Sequence, residues 1–526
     1  MEQFRLTSRW SVAWLESGGI DQTFVATYSD HVEYQNPYRE YRQTVLILAH
    51  SQVESGNFTG ASVEQREEGG LAVPSVPLGP RPMVKPLLGN VDAPDYENAL
   101  ACVRCGLCLS VCPTYTTEHT EVQSPRGRVA LIRAVDEGRL SLASPGFKEH
   151  MYHCLDCRAC QTICPSGVKV GELVLAARSE IDRREPMPWL ERLLKRLILQ
   201  WVLLRPERVE LATLPLLWYQ KLGLQRLVRA SGLLRKLPRG LSRLRVMEDL
   251  LPELPERPLR AELAEVTPAR DGRRYRVGFF LGCVMNVVYA EASRATVNVL
   301  TENGCEVVTP KSQRCCGAPH AAEGDSRTLR ELAKHNVDLF ESWQLDYVVA
   351  DCAACAAQTK EYAHLLRDEP AYRERAVAFS RKVRDISELL AEIPFKPPEG
   401  GVPIRVTYHE ACHLCHAQGV RRQPRMVINR IPGVELVEMK ESDWCCGSAG
   451  IYNITHPERA KQILDRKVAN IAATDADAVL TGNPGCLLQL AAGVRQAGLK
   501  TKVLHPTQVL DAAYRAERKK REEKGP

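Results

Sequence analysis

A chain of 526 residues is too long for one core and, at roughly 100–200 residues per domain, predicts three or four. Its hydrophobic share of 44% and charged share of 25% exclude a disordered or fibrous protein. A net charge of +6 is too small at this length to argue for a nucleic-acid partner.

The unusual number is nineteen cysteines. The opening residues, MEQFRLTSRWSVAWLESGG, lack the apolar run and small-residue cleavage site of a secretory signal, so a cytoplasmic location is expected. In a reduced compartment, close C-x-x-C spacings point to metal ligation rather than disulfides. The longest apolar candidates, Leu197–Leu204 and Leu211–Gln220, stop well short of the ~18–20 residues that span a bilayer.

Residues 1–85 contain no cysteine and no sustained period, and end in the Gly/Pro-rich stretch GGLAVPSVPLGPRP. A poorly structured N-terminal extension is expected, with Met83 as a candidate functional start.

Residues 86–185 predict a helical domain. Ser124 before Pro125 is a helix-start signature, and apolar residues recur at helical spacing from Gly171. The domain holds two runs, Cys102-x-x-Cys105-x-x-Cys108-x-x-x-Cys112-Pro and Cys154-x-x-Cys157-x-x-Cys160-x-x-x-Cys164-Pro. Three cysteines spaced by two residues wrap one corner of a cubane, and the fourth, before proline, is diverted to the other cluster. On that logic Cys102, Cys105, Cys108 and Cys164 hold one [4Fe–4S] cluster, and Cys154, Cys157, Cys160 and Cys112 hold the other. Zinc needs only four sulfurs, usually as two separated pairs, so two complete runs favour iron–sulfur binding. Mutual ligation places the two clusters close enough for electrons to hop.

Residues 186–270 are rich in Leu and Arg, as in WLERLLKRLILQWVLLRPER, and predict amphipathic helices with a basic polar face, interrupted by prolines. Such a face suits an anionic membrane surface, a partner, or packing on the chain itself.

Residues 274–400 and 401–515 repeat one pattern, followed by a charged tail at 516–526. Each copy opens with a β-rich run reaching a cysteine, Tyr275-Arg-Val-Gly-Phe-Phe-Leu-Gly-Cys283 and Ile404-Arg-Val-Thr-Tyr-His-Glu-Ala-Cys412. Each continues to Cys-Cys-Gly, at 315–317 and 445–447, and then to an apolar run ending near Cys352 or Cys486. Strands alternating with helices imply two α/β units with parallel sheets, so the whole is an α+β multidomain chain. Open parallel sheets place ligands at the carboxyl ends of their strands, where these cysteines fall.

Cys283, Cys315, Cys316, Cys352 and Cys355 form a second constellation of candidate ligands, because adjacent cysteines rarely bridge each other and Gly317 lets backbone approach a metal. The repeat supplies Cys412, Cys445, Cys446 and Cys486, but Gln489 stands where the last cysteine would fall, with Cys415 nearby. A further cluster at these motifs is the sharp reading; redox-active or buried structural thiols are the plain one. His409, His413 and His416 are candidate ligands, quinone or proton contacts, or ordinary loop residues. Cys305 matches no pattern and reads as a small buried hydrophobe. No G-x-G-x-x-G follows a strand and no G-x-x-x-x-G-K-[ST] occurs, so no flavin, nicotinamide or ATP site is expected and no catalytic residue is assigned.

Over about residues 95–515 the paired cysteine runs and the doubled Cys-Cys-Gly resemble the family of bacterial glycolate oxidase iron–sulfur subunits. That family lies within a group including the corresponding subunits of anaerobic glycerol-3-phosphate dehydrogenase and of heterodisulfide reductase. Ser124-Pro-Arg-Gly-Arg, Cys157-Arg-Ala-Cys and Cys164-Pro-Ser-Gly-Val look most like the glycolate oxidase branch. The resemblance implies a subunit that takes electrons from flavin (FAD) subunits oxidising glycolate, a 2-hydroxy acid, to glyoxylate. They pass to a quinone or membrane acceptor, with peripheral contact at the inner face of the cytoplasmic membrane. The alternatives are a heterodisulfide-reductase-like enzyme or an iron–sulfur subunit of a glycerol-3-phosphate or lactate dehydrogenase. Residues 1–85 have no counterpart in the family, and Gln489 departs from its repeated cysteine pattern.

Overall fold

The computed structural model describes residues 93–185, 187–232 and 242–524, with the backbone of three strands in the first 48 residues. The chain divides into two units, Met1–Arg81 and Pro82–Pro526. In the first, β1 (Thr7–Trp14), β2 (Phe24–His31) and β3 (Thr44–Leu48) form an antiparallel sheet in that order. The stretch expected to be poorly structured therefore contains paired strands, and their Thr, Val, Tyr, Trp and Phe residues are strand formers. Met83 and the Gly/Pro-rich stretch before it lie outside the described residues.

In the second unit the two cysteine runs sit among helices, the longest being Pro125–Asp136 and Val170–Arg184. The predicted start of the first is present: the Ser124 hydroxyl accepts from the Gly127 N–H at 2.9 Å, with Pro125 in the first turn. A Cβ on Gly127 would lie 1.9 Å from the Glu121 carbonyl oxygen, so only glycine lets the helix begin this close to the preceding turn. Ile132, Phe147, Met151, Leu173 and Val174 form the core beneath, and Cys102, Cys154, Cys160 and Cys164 rest on it.

The Leu/Arg-rich stretch forms helices at Trp189–Lys195, Pro206–Lys221, Leu224–Ser231 and Ser242–Leu250, with a π-helical turn at Arg196–Val202. Leu199 and Val209 are buried, but Trp189, Leu193, Leu197, Trp201, Leu211 and Trp218 lie open to solvent.

Two sheets follow. The first contains β4 (Val266–Thr267), β5 (Tyr275–Phe279), β6 (Cys305–Val308), β7 (Tyr347–Ala350) and β8 (Val383–Asp385) in the order β4-β6-β5-β7-β8. The second contains β9 (Ile404–Tyr408), β10 (Val434–Leu436), β11 (Ala478–Leu480) and β12 (Lys502–Leu504) in the order β10-β9-β11-β12. Pairing is parallel except for β4, which joins β6 antiparallel and draws part of the supposed linker into the first repeat. The shared strand order leaves a crevice at the carboxyl ends of the first and third strands of each repeat.

The repeats exchange their last helices. Ile386–Glu392, after β8, packs on Arg422–Ile428 of the second repeat, and Pro506–Lys524, after β12, packs on Ala290–Glu302 of the first. Residues from both sheets, among them Val277, Phe279, Val406 and Leu480, share one core with Leu510 of the last helix. The charged tail is not detached: residues 516–524 continue the last helix, where Arg518 pairs with Glu302 and buried Glu517 accepts from the Glu399 N–H at 3.0 Å.

Candidate metal centres

Each cysteine run turns on left-handed residues either side of its middle cysteine. Arg104 and Gly106 (φ 58° and 87°) flank Cys105, while Asp156 and Arg158 (φ 46° and 61°) flank Cys157. These turns coil the backbone so that three thiols face one side, and only the first loop uses a glycine for the second of them. Cys102, Cys105, Cys108 and Cys164 line one cavity together with Cys160. Cys157 lies within electrostatic reach of Cys160 and Cys112, and Cys160 of Cys154, Cys112 and Cys108. Cys164 thus sits with the opposite run, and Cys112 lies between the two sets.

Burial pushes the Cys108 thiol up to about 11, and burial with neighbouring thiols pushes Cys157 and Cys160 well above the ordinary range. All nineteen cysteines are free of disulfides. Converging thiols held neutral by burial fit a bound metal, whose charge takes the place of their protons.

In the first repeat Cys283, Cys315, Cys316, Cys352 and Cys355 converge at the sheet crevice. Sulfur contacts join Cys283 to Cys315, Cys315 to Cys316, and Cys316 to Cys355. The Cys355 N–H donates to Cys352 Sγ at 3.3 Å and the Gly317 N–H to Cys315 Sγ at 3.5 Å. Hydrogen bonds with Cys315 and Cys355 draw the Cys316 thiol down to about 6. The surroundings are apolar, with Phe280, Met285 and Val337 in the same core cluster.

In the second repeat Cys412 contacts Cys445, Cys445 contacts Cys446, and Cys446 Sγ lies 3.4 Å from Cys486 Sγ. The Gly447 N–H donates to Cys445 Sγ at 3.4 Å, as Gly317 does in the first repeat. Gln489, in place of the last cysteine, accepts from Asn453 Nδ2 at 2.8 Å. Cys415 faces the carbonyls of Glu410 and Cys412 at 4.0 and 3.9 Å. Cys305 is fully buried and separate, and burial lifts its thiol to about 12.

The three candidate histidines part company here. His416 Nδ1 meets Thr162 Oγ1 at 3.1 Å and Arg421 at 3.0 Å. His413 lies 3.6 Å from Cys412 Sγ and 3.7 Å from Asp156 Oδ2. Burial opposes its charge, but Asp156 and the Cys412 sulfur outweigh it and hold His413 up to about 10. His409 is buried with both ring nitrogens unpartnered, and one lies within 4.8 Å of the Cys446 and Cys486 sulfurs.

The second cysteine run touches both repeats. Besides Cys112 and Cys160, Cys157 has Cys445 and Cys412 among its neighbours, and Leu155 packs with Trp444, Cys445 and Tyr452. Arg158 pairs with Asp156 at 3.3 Å and with Glu361, just past the helix that carries Cys355. Arg459 holds Glu118 at 2.5 Å. Nothing in the cysteine spacing announces this junction; Arg158 in the glycine position of the first loop is its one trace.

The cysteine-rich domain family matches residues 277–360 and 406–491, the 4Fe-4S dicluster domain residues 98–168, and the linker region of glycolate oxidase iron-sulfur subunits residues 190–251. The chain is 40% identical over 412 residues to the probable glycolate oxidase iron-sulfur subunit of Bacillus subtilis (strain 168), covering 78% of this chain and 92% of that one. It is 30% identical over 437 residues to the glycolate oxidase iron-sulfur subunit of Escherichia coli (strain K12), covering 81% and 97%. Similarity extends to one subunit of the fumarate reductase (CoM/CoB) of Methanothermobacter marburgensis, at 28% identity over 80% of this chain and 74% of that one.

Proposed function

We propose that this chain, which belongs to the family of glycolate oxidase iron–sulfur subunits, relays electrons from a flavin partner that oxidises glycolate to a quinone acceptor. The observation that carries the reading is the junction at Cys157, where the second cysteine run meets Cys412 and Cys445. [4Fe–4S] clusters bound at the eight thiolates would supply one-electron chemistry. Cys102, Cys105, Cys108 and Cys164 would hold one; Cys154, Cys157, Cys160 and Cys112 the other. The Cys-Cys-Gly thiols are assigned to further metal centres.

The rest is done by the chain's own residues. Arg158, Asp156 and His413 fix the second run against the repeats, and Leu155 with Trp444 and Tyr452 keeps water from the space between them. Among the described residues no helix is long and apolar enough to cross a membrane. The exposed Trp189, Trp201 and Trp218, with exposed Arg192, Arg196 and Arg205, suit peripheral contact with an anionic bilayer, where a membrane quinone would be met.

The test is the complex with its flavin partner, assayed on anionic vesicles containing quinone. Cys157→Ser should abolish glycolate-driven quinone reduction while the flavin partner still reduces an artificial dye, and glutamate at the three exposed tryptophans should release the complex from the vesicles. Unchanged quinone reduction in Cys157→Ser would overturn the relay. Disulfide reduction with glycolate inert would favour the heterodisulfide-reductase reading, to which the five converging thiols of the first repeat lend support.

A further inference from the structure

We propose that the His409 imidazole is a ligand of the metal centre in the second repeat, completing through nitrogen a donor set that Cys412, Cys445, Cys446 and Cys486 begin with sulfur. The inference rests on the reading that this repeat holds a metal.

The two repeats supply their own control. His409 follows β9 as Phe280 follows β5, each three residues before the first cysteine of its repeat. Phe280 fills its place as a hydrophobe should, stacked on Phe340 with ring centroids 5.5 Å apart. An imidazole in the equivalent place brings two polar nitrogens into the interior, and neither finds a hydrogen-bond partner among the described residues. The Ser442 carbonyl is close enough to favour a proton on the ring, but it already accepts from the Glu410 N–H at 3.0 Å and from Lys467 Nζ at 3.1 Å. Burying such a group is unfavourable unless something binds it.

What lies in reach is sulfur. One ring nitrogen and the Cys446 and Cys486 sulfurs all lie within 4.8 Å of one another, and the two sulfurs are 3.4 Å apart. With metal–sulfur bonds of about 2.3 Å and metal–nitrogen bonds of about 2.0–2.1 Å, ligands on one tetrahedral ion sit about 3.4–3.8 Å apart, so a small closure of this triangle encloses a metal. The other candidates for the missing donor face other groups. Gln489 is bound by Asn453, and Cys415 faces the Glu410 and Cys412 carbonyls. Imidazole is a competent ligand for both zinc and iron. It is also neutral where a thiolate is negative, so the second centre carries one negative charge fewer than the five-thiol set of the first repeat. Its reduction potential, if it holds iron, should accordingly be the more positive of the two.

The test uses the full chain purified anaerobically, with iron and zinc content, X-ray absorption at the edge of each metal found, and pulsed EPR. The wild type should show one nitrogen donor and, for an iron centre, imidazole-type ¹⁴N coupling. His409→Phe, which installs the residue of the first repeat, should lose that nitrogen together with the metal lost by a Cys445→Ser/Cys446→Ser double variant. His409→Cys should regain the metal without the nitrogen signature. An all-sulfur environment in the wild type, or full metal with an unchanged spectrum in His409→Phe, overturns the ligation alone. No metal loss in the double-serine variant overturns the metal reading and the ligation with it. Should His409→Phe fail to fold, the wild-type spectrum and His409→Cys decide.

Discussion

The two Cys-Cys-Gly repeats share strand order, the position of the paired cysteines and the N–H···S contact made by the following glycine, yet they differ in what surrounds the thiols. In the first, five thiols lie among Phe280, Met285 and Val337. In the second, four thiols lie near His409 and the buried Lys467, with Asn453 and Gln489 bonded to each other beside them. Desolvation pulls the Lys467 ammonium down to about 8, although the Cys446 sulfur opposes the shift. Only the second set has a ferredoxin-type cysteine, Cys157, among its described neighbours. One scaffold thus holds two chemically different sets of thiols, and the polar one lies against the helical domain.

The sharpest way to break this contrast is to remove one paired cysteine at a time. Cys445→Ser should bring quinone reduction by the complex to background, whereas Cys315→Ser should leave a measurable rate. Equal loss in steady-state assays would mean that the first repeat lies on the same path.

Backbone comes next. Gly317 and Gly447 have φ of 90° and 85°, which costs about 1–3 kcal/mol for a residue with a side chain. A Cβ on Gly317 would meet Leu329 Cδ1 at 2.2 Å, the end of a side chain that can turn away. One on Gly447 would meet the Ala460 carbonyl oxygen at 2.7 Å, which belongs to a helix and cannot. Gly447→Ala should therefore cost about 3 kcal/mol or more and Gly317→Ala less, as read from denaturant midpoints. The reverse order would show that the second repeat is the more pliable.

The smallest effect is a difference in sign. Asp385 ends β8 and His505 follows β12, at matching places in the two repeats. Burial raises the Asp385 carboxyl to about 6 and lowers the His505 imidazole to about 4. Folded Asp385 stays protonated after the unfolded chain has ionised, so its contribution is lost as pH rises from the ordinary carboxylate value, 3.8, to about 6. Folded His505 stays neutral, so its contribution is lost as pH falls from 6.5 to about 4. Each slope is worth at most about 3 kcal/mol, and the two oppose each other. Relative to the unsubstituted chain, Asp385→Asn should tilt the dependence of thermal stability on pH between 4 and 6 upward, and His505→Gln should tilt it downward. Two profiles parallel to that of the unsubstituted chain would remove the assignment.

The grouping of the cysteines was legible because its determinants are local. A cluster corner is built within one turn of chain, so Cys102 to Cys108 and Cys154 to Cys160 announce themselves by spacing. The doubled sheet was legible for the same reason: Cys283, Cys352, Cys412 and Cys486 each follow an apolar run that forms a strand. What escaped was set by distant partners. The sequence presents His409, His413 and His416 as equals, and only Asp156 and Thr162, from another domain, tell them apart. The docking of the charged tail leaves no local signal because its partners, Glu302 and the Glu399 backbone, are far away in sequence. Strand β4 has two residues, too few for any pattern, and it is held by the edge it pairs with.

The exchanged helices carry a consequence of their own. Two separate copies of one repeat, trading Ile386–Glu392 and Pro506–Lys524 in this way, would form a symmetric pair. Symmetry would then force every change at one pocket onto the other: no histidine on one side without a histidine on both. Joining the halves in a single chain removes that constraint while keeping the shared core that neither half completes alone. The covalent link is thus what permits division of labour, letting Phe280 and His409, or Cys355 and Gln489, differ at equivalent positions without disturbing the frame that holds them.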